Sequence, residues 1–144
     1  MGKINAKSQG VNVRGLAELN RTLKQLGPEV RAELKAANVE VGEMVANDAR
    51  EIAYGLGGVA AKVAPSINTT RTQAGAGVSF GGAAYPFAGG AEFGAYRYKQ
   101  FKPWRGNGAG AGYFIYPAIR QDADEIAETY MERLDDLMRK HDLL

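Results

Sequence analysis

The sequence predicts an α+β fold: N-terminal helices including one long amphipathic helix, a small mostly antiparallel sheet, and a C-terminal helix packed on it. Three observations carry this reading. Apolar residues recur at helical spacing over 28–54 and again beyond 117, β-branched segments lie between them at 66–80, and Gly and Pro mark the junctions. At 144 residues, with 45% apolar and 24% charged side chains, the chain is read as a single domain, 1–144, with room for a substantial core.

Residues 1–13, MGKINAKSQGVNV, are polar with scattered Ile4, Val11 and Val13, and read as a short strand or a flexible arm. From Gly15, Leu16, Leu19, Leu23 and Leu26 fall at helical spacing; Gly27 suits the end of that helix and Pro28 the first turn of the next. The second helix is expected over Pro28–Tyr54, where Val30, Leu34, Val41, Val45 and Ile52 form one stripe, with Ala37, Asp48 and Ala49 on or beside it. Gly42 should weaken its interior by about 1 kcal/mol relative to Ala. The run GLGG at 55–58 ends it, and Val59–Ala64 is read as one further short turn before Pro65.

SINTTRT (66–72) and AGAGVSF (74–80) alternate Ile, Val, Thr and Phe with small or polar residues, and predict two adjacent strands followed by a Gly81-Gly82 turn. Ala83–Trp104 then holds six of the twelve Tyr and Phe residues and the only Trp. The mixture of rings and glycines suits a turn-rich contact surface rather than one regular element, with a short helix expected near Phe87–Phe93 and a strand near Tyr96–Phe101. GNGAGAG (106–112) reads as a flexible glycine loop, and YFIYP (113–117) as a short strand or extended entry. Pro117 is expected to start the last helix, with Ile119, Ala123, Ile126, Tyr130, Leu134 and Leu137 on its apolar stripe.

Charge and composition narrow the chemistry. The net charge of +2 is too small to indicate nucleic acid by itself, but residues 120–144 carry eight acidic and four basic side chains while 97–105 carries four basic and no acidic ones. Without cysteine there is no disulfide, thiolate nucleophile or cysteine metal site. No apolar h-region and no run of eighteen apolar residues is found, so neither export nor a membrane partner is expected. His141 is the only histidine and is read as a solvated surface residue, so a Ser-His-Asp arrangement has little to rest on. Asp48 with Glu51, and Asp122 with Glu125, have helical spacing but no accompanying histidine, and read as a solvated face or as partners for Lys and Arg rather than metal ligands. GNGAGAG lacks the Lys-Ser/Thr of a P-loop and places Ala111 where G-x-G-x-x-G needs glycine. No catalytic residue, cofactor or metal is therefore expected.

The candidate contact residues are Tyr96, Arg97, Tyr98, Lys99, Phe101, Lys102, Trp104 and Arg105. Rings interleaved with cations can stack bases and meet phosphates, or anchor a core or subunit interface. Glu92, set between Ala91 and Phe93, is expected to be buried or half-buried, paired to an Arg or accepting backbone N–H bonds.

A family resemblance enters on these residues. VRGLAELNRTLKQLGPEV (13–30) precedes the long helix, Ala64-Pro65 follows it, Tyr85 stands ahead of Glu92-Phe93-Gly94, and Phe114-Ile115-Tyr116-Pro117-Ala118-Ile119 opens the terminal helix. Over Val13–Leu137 this resembles the small neck, or tail-completion, proteins of long-tailed bacteriophages, the group related to the lambda tail-completion protein. Where that family commonly has Thr-Gly-x-Leu after Ala-Pro, this chain reads Ser66-Ile67-Asn68-Thr69. The resemblance gives Tyr85, Glu92, Phe93, Gly94, Tyr116 and Pro117 structural roles. It implies a non-enzymatic virion subunit, assembled in the host cytoplasm, in a ring between portal and tail tube. The ring is expected to be six-fold, with twelve-fold the other option. Its partners would be copies of itself, other neck proteins, the tail-tube protein and, non-specifically, DNA in the channel. Adaptor, stopper, completion and terminator roles are not separated by these motifs. The competing readings are a single-stranded nucleic-acid-binding module using Tyr96, Tyr98, Phe101 and Trp104, and, more weakly, a small enzyme.

Overall fold

The computed structural model describes residues 2–5, 21, 25, 27–71, 75–105 and 110–142. The helix expected over 15–26, with Leu16, Leu19, Leu23 and Leu26, lies outside the described residues except Arg21 and Gln25, as do 6–13, 72–74 and 106–109. Within them the chain is α+β. In order it forms β1 (Gly2–Asn5), α1 (Pro28–Leu56), α2 (Gly58–Val63), a 3₁₀ turn (Ala64–Ser66), β2 (Asn68–Thr69), β3 (Gly77–Phe80), α3 (Ala88–Phe93), α4 (Ile115–Gln121) and α5 (Ala123–Lys140).

The long helix is the frame. Pro28 opens α1, where a missing N–H costs nothing, and its stripe of Val30, Leu34, Ala37, Val41, Val45, Ala46, Ala49 and Ala53 is buried. α2, α4, α5, β2 and β3 all pack on it. Ile52, expected in the core, is half-buried and lies against it. Gly42 is buried in the middle of α1, and a side chain there would run into the Thr69 hydroxyl and sit 3.1 Å from the Gly77 carbonyl oxygen. What the sequence shows as a weak point in a helix is a place where the sheet closely approaches it.

The sheet has the order β1–β3–β2, antiparallel throughout, with Ile4 opposite Val78 and Asn68 opposite Ser79. β3 thus takes the centre, and of the strand and the arm left open for the start of the chain, Gly2–Asn5 is a strand at the second edge. The expected strand over 66–72 shrinks to Asn68–Thr69, because Pro65 and Ser66 are taken up in the 3₁₀ turn.

Two further expectations are corrected. Tyr96–Phe101 is not a strand but a chain of turns and bends, so the alternation of its side chains has no sheet to act on. The last helix starts at Ile115, not Pro117, and is divided at Asp122 into α4 and α5. The main core gathers Ile67, Val78, Phe80, Phe114, Ile115, Ile119, Ile126 and Tyr130 around α1, and a smaller cluster joins Val30 and Leu34 to Leu134 and Leu137. Tyr130 also carries a buried polar tie: its hydroxyl accepts the Ala76 N–H at 2.9 Å and donates to Asn38 Oδ1 at 2.6 Å. Burial pushes its hydroxyl up to about 12.

Candidate functional site

The aromatic and basic stretch forms a lobe built outward from one buried carboxylate. α3 carries Glu92 inward, where it is fully buried. Its Oε1 accepts the N–H groups of Tyr113 (3.3 Å), Phe114 (2.9 Å) and Ile115 (3.0 Å), and its Oε2 that of Tyr116 (3.0 Å). These donors open α4, where main-chain N–H groups have no partner within the helix and the helix dipole favours negative charge. Of the two environments the sequence left open for Glu92, the structure shows backbone N–H donors. Burial pushes the Glu92 carboxyl above its ordinary range, and the four N–H groups pull it back. Gly112 stands against it with φ +86°, and a Cβ there would collide with Oε2. That part of the expected flexible loop is packed: Ala111 and Gly112 are buried.

From α3 the chain turns at Gly94, φ +83°, and a loop closes on itself. The Ala95 N–H bonds to the Lys102 carbonyl at 2.9 Å, the Phe101 N–H to Tyr98 at 3.1 Å, and the Arg105 N–H to Phe93 at 2.9 Å. These are turn closures rather than ladder pairs, which is why no strand forms. The Tyr113 hydroxyl donates to the Pro103 carbonyl at 2.8 Å and ties the loop to the start of α4.

The rings form a column from core to solvent. Tyr116 meets Phe93 at 5.8 Å, Phe93 meets Trp104 at 6.4 Å, and Trp104 meets Tyr96 at 5.9 Å between centroids. Exposure rises along it, from 3% at Tyr116 through 38% at Trp104 to 85% at Tyr96. Tyr98, also exposed, sits edge-on to half-buried Phe101 at 6.4 Å. Phe101 and Ala91 then help line a groove of about 250 Å³ between the lobe and Leu56–Ala60, edged by Lys99 and Lys102.

The expected contact residues divide into two kinds. Tyr96, Arg97, Tyr98, Lys99, Lys102 and Trp104 face outward, and the three cations make no ion pair among the described residues. Phe101 is half-buried, and Arg105, though exposed, is tied to the lobe: its guanidinium lies 3.7 Å over the Tyr113 ring and Nη1 donates to the Gly112 carbonyl at 3.1 Å. Tyr85 and Pro117 are half-buried, and Tyr85 packs on the main core.

Elsewhere, His141 is not the solvated residue expected. It is half-buried, with Nε2 3.3 Å from Glu33 Oε2, while Lys140 Nζ lies 2.7 Å from Oε1 of the same carboxylate. Glu29, Glu33 and His141 converge closely enough to suggest a metal site, but Lys140 already neutralises Glu33, so the group acts as an ionic tie between α1 and the end of α5. Asp122 is buried rather than on a solvated face, and meets Asp48 of α1. No sequence signal pairs residues so far apart. Compared with known proteins, the chain matches no family model, no curated protein and no solved structure.

Proposed function

We propose that the protein is a structural subunit of a bacteriophage neck, a non-catalytic ring component joining the portal side to the tail tube, and that the aromatic–basic lobe is its main contact surface. The observation that carries the proposal is the ring column ending at Tyr96. Large rings at 38–85% exposure, backed by half-buried Phe93, buried Tyr116 and a hydrogen-bonded loop, form a preorganised anchor of the kind protein interfaces use. The neck assignment itself draws on the sequence resemblance, and the Glu92-Phe93-Gly94 motif supports it by forming the base of this lobe.

Arg97, Lys99 and Lys102 surround the rings with unopposed positive charge, which fits an acidic partner. The outward acids of α5, Asp124, Glu125, Glu128 and Glu132, on a neighbouring copy are the partner proposed, with Asp122 excluded by its burial. Such complementarity fixes register more than affinity. Exposed pairs are each worth about 0–1 kcal/mol, so the rings must supply most of the binding.

The test is the assembled mass of the purified protein, alone and mixed with portal or tail-tube protein, for the parent and for K99E/K102E. The expected result is a ring whose formation is weakened by charge reversal on the lobe and partly restored by adding E128K/E132K. A nucleic-acid function would instead give single-stranded DNA binding that falls steeply with salt and ignores Glu128 and Glu132.

A further inference from the structure

Asp122 occupies the elbow between α4 and α5. Its N–H bonds to the Ala118 carbonyl at 3.0 Å, and its own carbonyl accepts the Ile126 N–H at 2.8 Å, so both helices run through this one residue. The residue is 4% exposed, and Oδ2 has no hydrogen-bond partner among the described residues. The carboxyl of Asp48, half-buried on α1, lies close enough to act directly on it. Two carboxylates in such contact have no hydrogen to share, and Asp122 lies in a medium that penalises charge. The other groups acting on Asp122 are Glu125 of α5, a further negative charge, and the neutral Gln121 amide. Among the described residues, a cation is not one of them.

We propose that Asp48 and Asp122 are a proton-binding acid pair, holding one proton between them and thereby clasping the α4–α5 elbow onto the long helix. The proton supplies the missing donor, removes one of two adjacent charges, and lets the orphaned oxygen be buried as an acid rather than an anion. Asp48, partly open to solvent, gives the proton its route in and out.

Burial, followed by the contact with Asp48, pushes the Asp122 carboxyl up from 3.8 to about 7. The folded state then binds more protons than the unfolded chain between those values. The pair's contribution to stability is therefore complete below the unfolded value and is lost as pH rises towards about 7. The clasp loosens on the alkaline side of neutrality.

The experiment is a carboxyl ¹³C titration of the full chain, paired with thermal melts at about pH 5 and about pH 8, for the parent, Asp48→Asn and Asp122→Asn. The expected result is one carboxyl of the pair titrating near neutrality in the parent and, in Asp48→Asn, falling from there while burial still holds it above the ordinary Asp range. Asp48→Asn should also melt above the parent at the higher pH but not at the lower one, which a merely structural role would not produce. If Asp122→Asn fails to fold, Asp48→Asn alone decides the matter. Parent titrations in which both carboxyls ionise below about pH 5 would overturn the proposal. So would millimolar Mg²⁺ or Ca²⁺ raising the melt of the parent at the higher pH and not that of Asp48→Asn, since the pair would then be a cation site.

Discussion

At Glu92 a single carboxylate satisfies the four main-chain donors that open α4, from residues 21 to 24 positions further along the chain. Glu92→Gln keeps the shape but turns an amide N–H₂ towards some of those donors, and should cost about 1–3 kcal/mol, measurable by denaturant unfolding. Parent-like stability would show that the four bonds are dispensable. The presence of a buried carboxylate was legible, because Glu92 sits between apolar neighbours; its donors were not, since nothing local marks Tyr113–Tyr116 as its partners. Gly42 shows the same limit. Its cost to α1 can be read from propensity, but its purpose depends on Thr69 and Gly77. Titration separates the carboxylates further. Lys140 holds Glu33, and Arg133 holds Glu40, below the ordinary range, so their contribution is present above about 4.5 and lost as pH falls through the lowered values. Asp122 and Glu92, raised by burial, act in the opposite sense and favour the fold at lower pH. Melting temperature should therefore peak on the acid side of neutrality, near about pH 5, and a profile rising steadily to pH 8 would contradict these assignments.

Among the elements, α1 and α5 were the most legible, because a long periodic stripe is a strong signal. Val30, Leu34, Val41, Val45, Ile126, Tyr130, Leu134 and Leu137 are all buried, as their spacing predicts. Leu34→Ala or Ile126→Ala should cost about 2–5 kcal/mol through lost burial and a residual cavity, and melts within about 0.5 kcal/mol of the parent would remove these positions from the core. Tyr130→Phe should also destabilise, by about 1–3 kcal/mol, since it leaves the Ala76 N–H and Asn38 Oδ1 without this shared partner. The segment over 96–101 departs from the expected strand for a physical reason. Alternating rings and cations have strand-like composition, but the closures at Ala95–Lys102 and Phe93–Arg105 and the packing of Trp104 on Phe93 set its shape. Long-range contacts overrode local propensity there. The division of α5 from α4 was likewise invisible, since neither Pro nor Gly stands at Asp122.

At the scale of the whole molecule, the long helix, the small sheet and the paired C-terminal helices form a base from which one ring-rich lobe projects. The lobe's inner half is fixed by Glu92, Gly112, Arg105 and Tyr113, and its outer half presents Tyr96, Tyr98 and Trp104 with three unpaired cations among the described residues. If this surface joins copies of the chain, truncating the outermost rings should leave the fold intact while abolishing assembly. Tyr96→Ala, at 85% exposure, should change monomer stability by no more than about 0.5 kcal/mol. The decisive measurement is the native mass of the protein mixed with portal or tail-tube protein, compared between the parent and Y96A/W104A. The account predicts a closed ring of defined copy number for the parent, and a folded, unassembled double variant. A parent that stays monomeric in every mixture, or a double variant that assembles as well as the parent, would contradict it.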